Sequence, residues 1–302
     1  MITGLRPLST SELLDRTFHL YRNHFWVFTG ISAIPQLFIL PLTLGGAAMS
    51  MRQNDTWSAL MTGGGYLLFY LAVFVSQAPT VVAVSNLQMQ KPVGIGSSYS
   101  GARKCFLRVV WIVFLLCVTL GLIFGGGGTL IALAIAAIAA VSPPTVSVIA
   151  GLFLTILPGY YALRWILLGS SLVIPATVLE GGGFLSSMRR SFSLSRGTRW
   201  RIFVIYFLMG VFGFVVAFLI EFLLMFGIAF IHIRNPHTFN ALMQALWAVC
   251  MFASSSLVGG LAMIALSLVY YDQRVRKEAF DLQLMMATLG SKAEAVATAG
   301  NT

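Results

Sequence analysis

Two ionisable side chains stand inside otherwise apolar runs, and any chemistry within the bundle would start from them. Arg164 sits in YYALRW and Glu221 in AFLIEFLL. A charged group at bilayer depth costs roughly 3 kcal/mol or more unless it meets a partner or water. Glu221 would lie about 8 Å to the outer side of the midplane, an offset two long side chains can bridge. One reading is a polar passage or lipid head-group site between helices. The other is structural: an ion pair, or an arginine on backbone carbonyls freed by Pro158.

The remaining candidates offer less. His232 and His237 share a short loop with Arg234 and Asn235, too few ligands for a metal. His19 and His24 point to different helix faces. Ser97-Ser98 and Ser170-Ser171 have no histidine base in any apolar run. HExxH, a P-loop and paired intramembrane aspartates are missing from the sequence. Cys105, Cys117 and Cys250 are too far apart for a metal or disulfide framework. The expectation is therefore no enzyme activity, no catalytic or metal site and no cofactor.

These residues must be positioned by elements suited to lipid. Hydrophobic residues make up 58% of the 302, charged residues 9%, and mean hydropathy is +0.88. Soluble domains carry roughly a quarter charged residues, so a water-exposed fold of this size is excluded. The apolar runs predict six spans, at about 25–46, 63–87, 107–141, 146–178, 202–229 and 245–271. Pro35 and Pro41 should bend the first. The third is too long for one bilayer and is interrupted by Gly125–Gly128, which reads as a kinked helix or a re-entrant turn. The first run follows Arg6, Glu12, Asp15, Arg16 and Arg22, which argues against a signal peptide. Residues 290–302 read as a disordered tail.

Amphipathic stretches accompany the spans, at about 9–25, 184–196 and 272–289. In the first, Leu13, Leu14, Phe18, Leu20, Tyr21 and Phe25 share an arc of about 160°. Ser9 and Glu12 stand at capping-box spacing. Such a helix is expected to rest on the membrane surface and feed a span. In the third stretch Tyr271, Val275, Ala279, Leu282, Met286 and Leu289 form one stripe. Shifted by 174 residues, the first stretch overlays the second without gaps: Arg16, Phe18, Leu20, Arg22 and Trp26 meet Arg190, Phe192, Leu194, Arg196 and Trp200. Lys104, Phe106 and Trp111 form a weaker third copy. The architecture expected is thus all-α, a polytopic integral membrane helical bundle of about six transmembrane helices in three repeats.

The net charge of +10 points to lipid rather than nucleic acid, because the basic residues flank the spans. Of 19 Lys and Arg, 16 fall on the side of the amino terminus, while Arg52 and Arg234 lie opposite and Arg164 lies within a span. That bias predicts a multi-pass protein of the cell membrane with both termini cytoplasmic. Arg16, Arg22, Arg103, Lys104, Arg189, Arg190, Arg196, Arg274, Arg276 and Lys277 form the candidate surface for anionic head groups or a protein partner. Gly121-x-x-x-Gly125, Ser255-x-x-x-Gly259 and Ser256-x-x-x-Gly260 should let helices pack closely within one chain.

The blocks SELLDRTFHLYRNHFW, LRWILLGSSLVIPATVLEGGGFLSSMRRSFSLSRGTRWRIF and YYDQRVRKEAFDLQL, spread across nearly the whole chain, resemble the glycerophosphoryl diester phosphodiesterase membrane-domain family. The resemblance implies a bacterial six-helix membrane module. Some members fuse it to a phosphodiesterase barrel, and no such domain is seen in this sequence. The expected role is a non-catalytic, lipid-contacting scaffold or docking module, with transport or lipid handling at Arg164 and Glu221 as the alternative.

Overall fold

The computed structural model describes residues 8–52, 54–141, 151, 153–156, 159–161, 168–229 and 235–278. Among these the chain is helices and connecting turns, an all-α bundle. Helix α1 (Thr10–Asn23) opens with the expected capping box: Glu12 N–H donates to Ser9 Oγ at 3.2 Å, and Ser9 N–H to Glu12 Oε2 at 2.8 Å. Helices α2 (Phe25–Leu37) and α3 (Leu40–Met51) meet at 46°, with Pro35 in one and Pro41 in the first turn of the other. Both prolines remove a backbone donor, which accounts for the bend.

Pro35 leaves the Ile31 carbonyl without its helical N–H, and another helix supplies the replacement. Tyr99 of α6 (Ile95–Ala102) donates its hydroxyl to Ile31 O at 2.8 Å. Burial pushes the Tyr99 phenol up to about 12, so it stays a donor through the whole neutral range. Helices α4 (Asp55–Val75) and α5 (Gln77–Gln88) follow one another with only Ser76 between them. The third apolar run contains α7 (Phe106–Gly121), a π-helical turn at Leu122–Gly126 and α8 (Gly127–Val141). The chain thus stays helical through the glycine block. A Cβ at Gly121 or Gly125 would meet no atom within 4 Å among the described residues, so that small-residue pair makes no packing contact with them.

After a helical turn at Leu168–Ser170 come α9 (Val173–Glu180) and α10 (Phe184–Ser195). The stretch Leu168–Glu180 and α10 are bent at 120°. Gly181, at φ +69°, ends α9 in the left-handed conformation that glycine adopts without strain. Helices α11 (Arg199–Ala229) and α12 (Pro236–Glu278) complete the bundle. The 43 residues of α12 extend over about 64 Å. It touches α1, α2, α3, α5, α9, α10 and α11, and is the axis on which the others are assembled.

Three helices are long and apolar enough to cross a membrane: Thr56–Gln88, Arg199–Leu224 and His237–Glu278. Counting each bent pair as one span makes five among the described residues. The protein is membrane-embedded. Part of the expected fourth span, including Arg164, lies outside the described residues, as do 279–302.

Packing along α12 follows the small-residue pattern near its middle. Ser255 donates to Gln36 Oε1 at 2.6 Å, and Ser256 sits 3.4 Å from the same oxygen. A Cβ at Gly259 or Gly260 would come within 3.7 Å of Ser32, so α2 lies close against α12 there. Toward the end of α12, Ile264, Leu268 and Tyr270 are buried with Leu13, Phe28, Val81, Leu172 and Ile202.

Helix α1 has a protein partner along its length. Leu8 bonds Asp272, and the Tyr21 hydroxyl donates to the Leu257 carbonyl, so α1 runs antiparallel along α12. Much of its apolar arc packs on protein: Leu13 is fully buried, Leu14, Leu20 and Tyr21 are half-buried, and Phe18 lies against Phe212 while staying 37% exposed. The reason is the length of α12, which continues far enough to offer a protein partner for that arc.

The repeat is visible in the helix breaks. The first copy breaks at His24 and restarts at Phe25; the second breaks after Ser195 and restarts at Arg199, again one residue before the tryptophan. In the third copy Phe106 and Trp111 lie on one helix, because the residues that form the break are those it lacks.

Replacing Tyr99 by Phe leaves the Ile31 carbonyl buried without a donor and should lower stability by about 1–3 kcal/mol in a detergent melt. Its folded pKa lies above the ordinary 10.0, so the contribution is complete below that pH and lost as pH rises through about 12. Phenolate absorbance of wild type minus Tyr99→Phe should therefore appear near the higher value.

Candidate functional site: the basic end of the bundle

The last two turns of α12 carry Asp272, Gln273, Arg274, Arg276, Lys277 and Glu278, and these organise one end of the molecule. The Asp272 carboxylate is 0% exposed. It accepts from Leu8 N–H at 2.7 Å, Arg201 Nη1 at 2.7 Å, Arg276 Nε at 3.0 Å and Gln273 Nε2 at 3.3 Å. The Leu8 carbonyl in turn accepts from Arg201 Nη2 at 2.7 Å and Arg276 Nη2 at 2.6 Å. One carboxylate and one peptide unit thus accept from both guanidinium groups, while Arg201 Nε is buried with no partner among the described residues. Arg201 lies in the first turn of α11, where a cation opposes the helix dipole, and Asp272 offsets that repulsion.

A second cluster joins α9, α10 and α12. Arg190 Nε meets Glu180 Oε1 at 2.9 Å, and its Nη1 bonds Glu278. Arg274 Nε lies 3.2 Å from Glu278 Oε2 and 4.0 Å from Glu180 Oε1. Tyr270 donates to Glu180, and the Arg274 guanidinium stands 5.9 Å from the Tyr270 ring centroid. Two cations and two anions leave this group balanced.

Lys277 closes the adjacent helix. Its Nζ donates to the carbonyls of Ser193, Leu194 and Arg196 at 2.8, 3.0 and 2.8 Å. Those oxygens lie at and just beyond the C-terminus of α10, where helix carbonyls lack intrahelical donors and a cation suits the dipole.

The candidate basic surface divides accordingly. Arg190, Arg274, Arg276 and Lys277 hold the helices together, and Arg16 bonds Gln88 Oε1 at 3.1 Å. Arg22, Arg103, Lys104, Arg189 and Arg196 are exposed. Two shallow grooves pair an exposed arginine with an exposed leucine. One, of about 520 Å³, has Arg103, Tyr99, Ser100 and Leu107; the other, of about 560 Å³, has Arg189, Ser186 and Leu185. Trp26, Trp111 and Trp200, the three repeat-related tryptophans, are 80%, 58% and 75% exposed.

Glu221 is half-buried on α11, with no hydrogen-bond or ion-pair partner among the described residues. Arg164 and His232 lie outside them. The candidate serines bond backbone: Ser97 and Ser98 donate to Gly94 O, and Ser171 to Leu168 O.

Asp272, Glu180, Glu278 and Arg201 are not among the residues picked out from sequence. The available signal was the i, i+4 spacing of Asp272–Arg276 and Arg274–Glu278 on a helix leaving a span. With only 9 acidic residues in the chain, each one beside basic residues is a candidate anchor.

No family model, curated protein or solved structure matches the chain.

Asp272→Asn removes the charge and leaves two arginines uncompensated, so it should cost about 3–5 kcal/mol in a detergent melt. Asp272→Asn combined with Arg201→Met should cost less than the sum of the two single changes, since the pair is coupled. Strict additivity would contradict the direct bond.

Proposed function

We propose that the chain is a non-catalytic multi-pass protein of the cell membrane whose basic end contacts anionic lipid head groups and serves as a scaffold. The observation that carries this reading is the combination of exposed tryptophans with exposed basic residues. Trp26, Trp111 and Trp200 are large aromatics that would be costly in water and are suited to the head-group layer. Arg103 and Arg189 each flank a groove whose neighbouring leucine is exposed, a pairing of cation and apolar surface that fits a phosphate head group with its acyl chain. Each exposed Lys or Arg near an anionic leaflet contributes about 1 kcal/mol.

In this reading six spans are arranged in three units, with both termini on the cytoplasmic side. The charge distribution supports that orientation, because 16 of 19 basic residues fall on one side. The internally paired residues build the platform and the exposed ones do the contacting. The same division fits the membrane-domain resemblance, which implies a module that stays in the membrane without catalysing a reaction.

Reconstitution in nanodiscs of mixed phosphatidylglycerol and phosphatidylcholine tests the reading. Anionic lipid should be enriched around the wild-type protein, and the enrichment should weaken with salt. Changing Arg103, Lys104, Arg189 and Arg196 together to Gln should abolish most of it while thermal stability is retained. Equal enrichment in the quadruple variant would contradict the reading.

A further inference from the structure

At the end of α12 opposite Asp272, a cleft of about 720 Å³ opens between α3, α4 and α12. Ala59, Thr62, Gly63 and Tyr66 line it from one face of α4. His237, Asn240 and Gln244 line it from one face of α12, stepping by three and four residues. Ser50 and Ser58 complete the wall.

Two polar atoms in that wall are buried and have no partner among the described residues: Thr62 Oγ1 and Gln244 Oε1. Ser58, by contrast, is committed, donating to Gly46 O at 2.9 Å. Buried polar atoms are nearly always hydrogen-bonded, so an orphan hydroxyl and an orphan amide oxygen in one cleft mark a place where something else bonds them. The chemistry of the wall restricts what that is. Among the described residues it holds hydroxyls, carboxamides and one imidazole, with no carboxylate, lysine or arginine in the wall to balance a ligand's charge. An ion would lose hydration there without compensation.

We propose that this cleft binds a neutral polyhydroxyl group, a sugar or polyol, through Thr62, Asn240 and Gln244. Each ligand hydroxyl both donates and accepts, which matches the Gln244 oxygen and the Thr62 hydroxyl together. Tyr66, Ala59 and Met243 give an apolar wall against which the C–H face of a sugar ring can lie. The volume falls within the usual range for small-molecule sites, about 300–1,000 Å³. The same group can arrive free in solution or as the head group of an amphiphile in the outer leaflet.

The test is amide hydrogen exchange of the full chain in nanodiscs, titrated with maltose and, separately, with dodecyl maltoside. Either probe should give saturable protection of residues 55–66 and 236–245. Protection by maltose assigns the free sugar, and protection by dodecyl maltoside alone assigns a membrane-borne head group. A Cβ at Gly63 meets nothing within 4 Å, so Gly63→Phe can fill the cleft without a clash at the backbone. It should abolish protection while the melt is unchanged. Gln244→Leu should weaken binding about tenfold by removing one buried acceptor. No saturable protection with either probe, or protection that survives Gly63→Phe, overturns the proposal.

Discussion

The structure depends on a carboxylate that water does not reach. Asp272 sits at the point where α12 leaves its apolar stretch, and desolvation there would be costly without compensation. Compensation comes from two elements far away in sequence, the entry to α1 through Leu8 and the first turn of α11 through Arg201, and from the next turn of α12 itself through Arg276. A single anion therefore fixes where α1 starts and where α11 begins. The neighbouring Glu180, Glu278, Arg190 and Arg274 do the same for α9 and α10.

This arrangement changes the role of the amphipathic helices. A helix with one apolar face beside a bilayer can cover that face with lipid or with protein. Here α12 is long enough to offer protein, and the capping lysine and buried ion cluster hold α1 and α10 against it. Of the candidate surface, Arg22, Arg103, Lys104, Arg189 and Arg196 are exposed, and their side chains are not drawn into this network. The middle of the bundle is held differently, by Ser255 and Ser256 on Gln36 and by glycines that admit α2. The two ends then differ in character: one is closed by ion pairs, and the other opens as a cleft lined by uncharged polar groups among the described residues.

Features set by nearby residues were legible in the sequence. The capping box at Ser9 and Glu12, the bend near Pro35 and Pro41 and the all-α class follow from local rules, and the structure has each of them. The repeat register at Arg16 and Arg190 is matched by helix breaks at equivalent positions. Features that depend on which helix lies beside which were not legible. Ten basic residues read from sequence as one surface, yet Arg190, Arg274, Arg276 and Lys277 are committed to acceptors on α9, α10, α12 and the chain before α1. Long-range pairing leaves no periodic trace, so Asp272 is inconspicuous until α1 is folded against it. The same limit applies to the outer cleft, whose polar residues are dispersed over three helices.

The central claim is that α12, and not lipid, covers the apolar face of α1. Photocrosslinking tests it most directly, with p-benzoylphenylalanine in place of Tyr21, whose hydroxyl donates to Leu257 O. In native-like bilayers the account predicts crosslinks within the chain, mapping by mass spectrometry to α12 around Leu257. Crosslinks to phospholipid, with none to α12, would contradict it.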